Sequence, residues 1–228
     1  MIRKIGVGLL AAGERASSPQ TPVTLIADGK CVMATDPLPG STGRGGSIWS
    51  RLPHYLSAHN LQRPLVLSVM GVDATSIADW TNSQSPLQQR LMNHIMSMKA
   101  QGLLPTVILW QQGEADAKMG TVGATYGAGL TNLAEALMQA GADVPIITAL
   151  STVCRSLPSA NIRAAITTQA TQDKRFKVGP DTDTLNDATL RVDGCHFSAV
   201  GLDQAARLWV NKLQLVFPVS NSFRQDQI

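Results

Sequence analysis

Charge, aromatic rings and cysteine are all scarce in this sequence of 228 residues. Charged residues make up 15% of it, aromatic residues 4%, and the formal net charge is only +3. The basic side chains are spread along the chain. No Lys/Arg run is interleaved with aromatics, so the footprint of a nucleic-acid binder is missing. No apolar run approaches the ~18 residues of a membrane helix, which argues against a membrane partner. The three cysteines, Cys31, Cys154 and Cys195, are odd in number and lack CxxC spacing. That predicts small buried thiols rather than a disulfide framework or a zinc site. His54, His59 and His94 fall on expected helices without His or Cys at metal-ligand spacing, so no metal is expected.

What the chain does have is apolar patterning. The hydrophobic fraction of 44% excludes a disordered chain. The length suits one α/β domain over residues 1–228 with a full core. The start, "MIRKIGVGLLAAG", has basic residues before a short apolar run, as a signal peptide would. Three glycines weaken that run, and it is read as a first core strand. A cytoplasmic location is accordingly favoured over a secreted one.

Continuous apolar runs lie at 4–12, 64–72, 106–110 and 144–150, with a weaker one at 175–180. Runs without alternation suit strands buried on both faces of a parallel sheet. Between them, helical spacing covers 47–59, 85–102, 126–141, 159–172 and 198–214. Ser85 followed by Pro86 reads as a helix start, Gly102 and Gly141 as helix ends, and Ser198 as the cap of the last helix. Strand and helix alternate, which predicts an open three-layer α/β/α sandwich with right-handed crossovers. The Gly/Ser/Pro-rich stretch 36–47 reads as one long loop. In such a fold ligands bind beyond the carboxyl ends of the strands.

Two motifs fall at such places. "WQQGEAD" (110–116) follows an expected strand, and "DGCHFS" (193–198) precedes the last helix. An aspartate three residues before a histidine, as Asp193 and His196 are, can accept the Nδ1–H and leave Nε2 free as a base. The same spacing also serves a surface turn with a helix cap. Gly113 lets a substrate approach the backbone, and the Gln112 amide can donate to a developing oxyanion. Glu114 can orient the histidine or hold the loop. Trp49, Trp80 and Trp110 are candidates for packing near the ligand end of the sheet, whereas Trp209 reads as core.

Together, "WQQGEAD" and "DGCHFSAVGLDQAA" resemble the SGNH (GDSL-type) hydrolases, most closely the sialate O-acetylesterase-like carbohydrate esterases. "GRGGSIWSRL" (43–52) and "GVDATSIADW" (71–80) resemble the middle blocks of that family. The resemblance implies a flavodoxin-like open parallel sheet of about five strands. It implies acyl transfer by a Ser-His-Asp/Glu set that deacetylates sugars, with a carbohydrate ester as partner and neither metal nor cofactor. It makes His196 the general base and Asp193 its orienter. Gln112, Gly113 and the backbone of Ala74 become oxyanion or acyl-binding groups, with Glu114 in support. Arg44, Ser47 and Trp110 become substrate-binding candidates. Ser47 also reads as a helix cap and Arg44 as a solvated loop residue.

Two departures from the family stand out. The turn that carries its nucleophilic serine aligns with Val7-Gly8-Leu9-Leu10, which puts Leu9 at the serine position. The second block has Asp73 and Ala74 where the family carries two glycines. Neither Ser47 nor Ser76 lies in a G-x-S-x-G elbow. A second reading therefore stays open beside the esterase: an esterase-fold carbohydrate-binding module that has lost turnover. Oligomeric state is not legible.

Overall fold

The structure is a computed structural model that describes residues 3–4, 6–8, 24–27, 30–58 and 65–217. The first strand is seen as two short pieces, β1 (Arg3–Lys4) and β2 (Gly6–Gly8). They pair in parallel to opposite sides, β1 with β5 (Leu65–Ser68) and β2 with β6 (Ile108–Trp110). Outside β5 lie β3 (Thr24–Ala27), parallel to it, and β4 (Lys30–Met33), antiparallel to β3. Outside β6 lie β7 (Ile146–Leu150) and β8 (Phe176–Asp181), both parallel. The two four-stranded orders are β1-β5-β3-β4 and β2-β6-β7-β8. Four of the expected strands appear where the apolar runs predicted them. The first is described only over its early residues. The β3–β4 hairpin was not anticipated.

The continuous runs are explained by the two apolar clusters they feed. Leu67, Val69, Leu109, Ile147 and Ala149 face one cluster, and Met70, Ile108, Trp110 and Ile146 face the other. Successive strand side chains point to opposite faces, so a strand covered on both sides must be apolar at every position. The first face is covered by α1 (Ile48–Ala58) and α7 (Ala199–Val216). The second is covered by α3 (Pro86–Ala100), α5 (Gly123–Gln139) and α6 (Ala160–Gln172). These are the three layers.

The helices α3 and α7 start as the sequence indicates, whereas α5 starts at Gly123, before the expected residue 126. The Ser85 hydroxyl accepts from Leu87 N–H at 3.2 Å with Pro86 in the first turn, and Ser198 accepts from Gly201 N–H at 3.1 Å. In α7 the buried residues Leu202, Ala205, Ala206, Trp209, Val210 and Leu213 recur at helical spacing. Two short helices were not anticipated: α2 (Ile77–Thr81) and α4 (Glu114–Met119). Both begin at sheet-end loops that build the site. Among the described residues no helix is long and apolar enough to cross a membrane.

One expectation is corrected outright. Cys154 and Cys195 form a disulfide, and Cys31 is exposed rather than buried. The two partners are 41 residues apart, and the fold brings their loops together, which spacing alone does not reveal.

Candidate active site

The loops that leave β6 and β7 and the turn before α7 meet at one end of the sheet. Gly113 sits at φ +153°, and a Cβ there would lie 2.6 Å from Ser151 O, so only glycine allows the loop after β6 to touch the end of β7. The Ser151 hydroxyl then donates to Glu114 Oε1 at 2.6 Å. Burial raises the Glu114 carboxyl above the usual glutamate range, an effect only partly offset by that hydrogen bond. From the next loop, the buried Asp183 carboxylate accepts from Thr152 N–H at 2.6 Å, Val153 N–H at 2.9 Å and the Thr152 hydroxyl at 2.7 Å. Arg163 adds a fourth bond at 2.9 Å.

Arg191 knits these loops to the "DGCHFS" turn. Its buried guanidinium donates to Leu185 O at 2.8 Å, to Val153 O and Thr182 O at 3.2 Å, and to Cys195 O. It also lies 4.3 Å from the Phe197 ring centroid. The Cys154–Cys195 disulfide crosses the same seam.

Within the turn, the expected pair is assembled. His196 Nδ1 lies 2.9 Å from Asp193 Oδ2. A carboxylate only accepts, so the imidazole carries its proton on Nδ1 and presents Nε2 as a base. Asp193 Oδ1 accepts from the N–H groups of Cys195 at 3.0 Å and His196 at 2.8 Å. Burial alone would raise the Asp193 carboxyl. The bonds from His196, Arg155 and Cys195 outweigh it and hold the group well below the usual aspartate range. The His196 side chain is 45% exposed, and no hydrogen bond holds its Nε2 among the described residues. The arrangement can take a proton from an approaching hydroxyl and return it.

The other expected residues divide. Gln112 is buried, and both protons of its amide are committed, to Thr75 O at 3.1 Å and Asp116 Oδ2 at 2.6 Å. Its Oε1 accepts from Tyr126. Here Gln112 ties α4 and α5 to the 71–75 loop rather than offering a free donor. Ala74 holds φ +57°, the left-handed conformation that glycine adopts without strain. That agrees with aligning the position to a family glycine. Asp73 is exposed, and its N–H is bound to Thr42 Oγ1. Ser47 is a helix cap, accepting from Trp49 N–H at 3.1 Å. Arg44 is exposed and forms no ion pair among the described residues. Thr42, two residues before it, is bonded to Gly71, which sets the Arg44 loop beside the 71–75 loop.

Trp110 cannot stack on a sugar: it is 1% exposed and packs edge-on against Trp80 at 5.8 Å. Trp49 and Trp80 are equally buried. The Leu9 position lies outside the described residues, as does His59. Sequence reasoning missed Arg155, Ser151, Asp183, Arg191 and Gln111. The last accepts from Trp209 Nε1 at 2.8 Å and so links α7 to the loop after β6. Only Gln111 had a signal, its place beside the Gln-Gly-Glu block. Among the described residues no group of three or more His, Cys, Asp or Glu side chains is placed to hold a metal ion.

A mostly parallel sheet between two layers of helices, with an Asp-x-x-His turn at its strand ends, defines the class of fold as a three-layer α/β/α sandwich. The chain belongs to the carbohydrate esterase family of sialic acid-specific acetylesterases, whose family profile matches residues 12–213. No functionally curated protein is similar enough in sequence to match it. Among solved structures, a protein from Arabidopsis thaliana superposes with a TM-score of 0.68 at 15% identity, covering 92% of this chain and 97% of that one. A family 3 carbohydrate esterase from Talaromyces cellulolyticus gives 0.60 at 15%, covering 96% and 100%. A catalytic mutant of an acetylxylan esterase from Geobacillus stearothermophilus gives 0.56 at 14%, covering 92% and 94%. At these identities the likeness is one of fold.

Proposed function

We propose that this chain hydrolyses acetyl esters on a carbohydrate, with His196 as general base and Asp193 as its orienter. The observation that carries the reading is the Asp193–His196 pair, with Nδ1 held at 2.9 Å and Nε2 open to solvent. Family membership supplies the substrate class. A hydroxyl nucleophile gives its proton to Nε2 as its oxygen adds to the acetyl carbonyl carbon. The imidazolium then returns the proton to the departing sugar oxygen. With leucine at position 9 the nucleophile is water: one water is consumed, and acetate and the free sugar hydroxyl leave. The Ala74 backbone N–H is the proposed oxyanion donor, with Gln112, Gly113 and Glu114 holding the loop around it. Arg44, exposed and unpaired among the described residues, suits a carboxylate on the sugar.

A second reading, carbohydrate binding without turnover, is favoured by one observation, Leu9 in the sequence. p-Nitrophenyl acetate turnover by the natural chain and by Leu9→Ser separates the two. The esterase reading expects measurable hydrolysis by the natural chain and faster hydrolysis by the serine variant. No hydrolysis by the natural chain, with hydrolysis by Leu9→Ser, would establish the binding reading. No hydrolysis by either would remove the hydrolase site altogether.

A further inference from the structure

We propose that Arg155 is a positioning residue for the Asp193–His196 pair, an inference that rests on reading His196 as the base. Arg155 approaches the turn from the loop after β7, and three bonds converge from it. Its N–H donates to Gly194 O at 2.7 Å, its Nε to Asp193 O at 3.1 Å and its Nη2 to Asp193 Oδ2 at 2.8 Å. To make them Arg155 takes φ +58°, a conformation strained for a residue with a Cβ. Gly194 opposite it also has positive φ, and a Cβ there would already meet the Arg155 side chain at 3.5 Å. Strain kept at such a place is characteristic of sites where geometry matters.

The carboxylate explains what the strain secures. Oδ1 is held by two N–H groups of its own turn, and Oδ2 is shared between His196 Nδ1 and Arg155 Nη2. Arg155 is the only one of these partners that comes from another loop. It therefore fixes the carboxylate, and through it the imidazole plane, relative to the β7 end of the sheet. The Cys154–Cys195 disulfide joins the neighbours of Arg155 and His196, so a covalent tie and a charged one span the same gap. The ion pair is too exposed, at 67% and 31% for the two side chains, to matter much for stability. Its contribution is orientation.

The test replaces Arg155 with Asn, which tolerates positive φ and removes the guanidinium, and with Lys, which keeps the charge. Long-range proton–nitrogen NMR of the imidazole, recorded at a pH above which its nitrogen shifts no longer change, reads the His196 tautomer without needing turnover. The natural chain is expected to show the Nδ1–H form alone, Arg155→Asn a mixture of both tautomers, and Arg155→Lys mostly Nδ1–H. An unchanged tautomer in Arg155→Asn overturns the proposal. In turnover, Arg155→Asn is expected to lower kcat about ten- to a hundredfold while KM stays within about twofold, with Arg155→Lys partly restored. A raised KM at constant kcat would make Arg155 a substrate contact instead and overturn the proposal. If the natural chain hydrolyses no ester, the functional reading fails, and the tautomer measurement still decides the role of Arg155.

Discussion

Replacing both Cys154 and Cys195 by serine releases a loop whose ends are 41 residues apart. Closing a loop of that length restricts the unfolded chain by an entropy worth about 4 kcal/mol at room temperature. Total stability for a folded domain is about 5–15 kcal/mol, so the loss should be plain. Native hydrogen bonds from Arg155 and Arg191 cross the same seam and remain in the double variant. They hold the native state together but do nothing to limit the unfolded one. The assay is urea unfolding followed by tryptophan fluorescence. All four tryptophans are at most 1% exposed, so each changes environment on unfolding. Against a Cys31→Ser reference, the expected loss is about 2–4 kcal/mol. A loss below about 1 kcal/mol would refute the entropic argument. Titrating the denatured, unreduced natural protein should find one reactive thiol, Cys31, and three would refute the bond itself.

Two further predictions concern single residues at the site. Ala74→Gly relieves left-handed strain of about 1–2 kcal/mol but adds about 0.5–1 kcal/mol of unfolded-state entropy. The variant should therefore be neutral to slightly more stable in thermal melts, and Ala74→Val less stable; a clear loss for glycine would contradict the φ of +57°. Glu114 has its folded pKa raised by burial, so the folded state holds that proton more tightly than the unfolded chain does. The associated stability is full below the ordinary glutamate range and is lost as pH rises through the raised folded value. Glu114→Gln should flatten the decline in melting temperature as pH rises above the ordinary glutamate range; an unchanged slope would contradict the assignment.

The parts of the fold legible in the sequence were those set by local chemistry. Apolar runs marked β5, β6, β7 and β8 because strands covered on both faces carry no alternation. Serine caps marked α3 and α7 to within a residue. The β3–β4 hairpin was also signalled, by Asp28-Gly29 between two apolar runs, the strongest short hairpin pattern. The Asp193–His196 pair was legible because its geometry is contained in four residues. The disulfide, Arg155 and Asp183 were not, because each acts across 30 or more residues and only the folded sheet brings the loops together. Trp110 was misjudged because its place beside a site motif says nothing of which way the ring points. It is the last residue of β6 and faces the cluster under α5.

The central claim is that His196 performs acyl chemistry, and acetate release from an O-acetylated sugar by the natural chain and by His196→Ala tests it most directly. The account predicts acetate release by the natural chain that falls to near the uncatalysed level in the variant, with folding and melting temperature unchanged. Equal release from both proteins would contradict it.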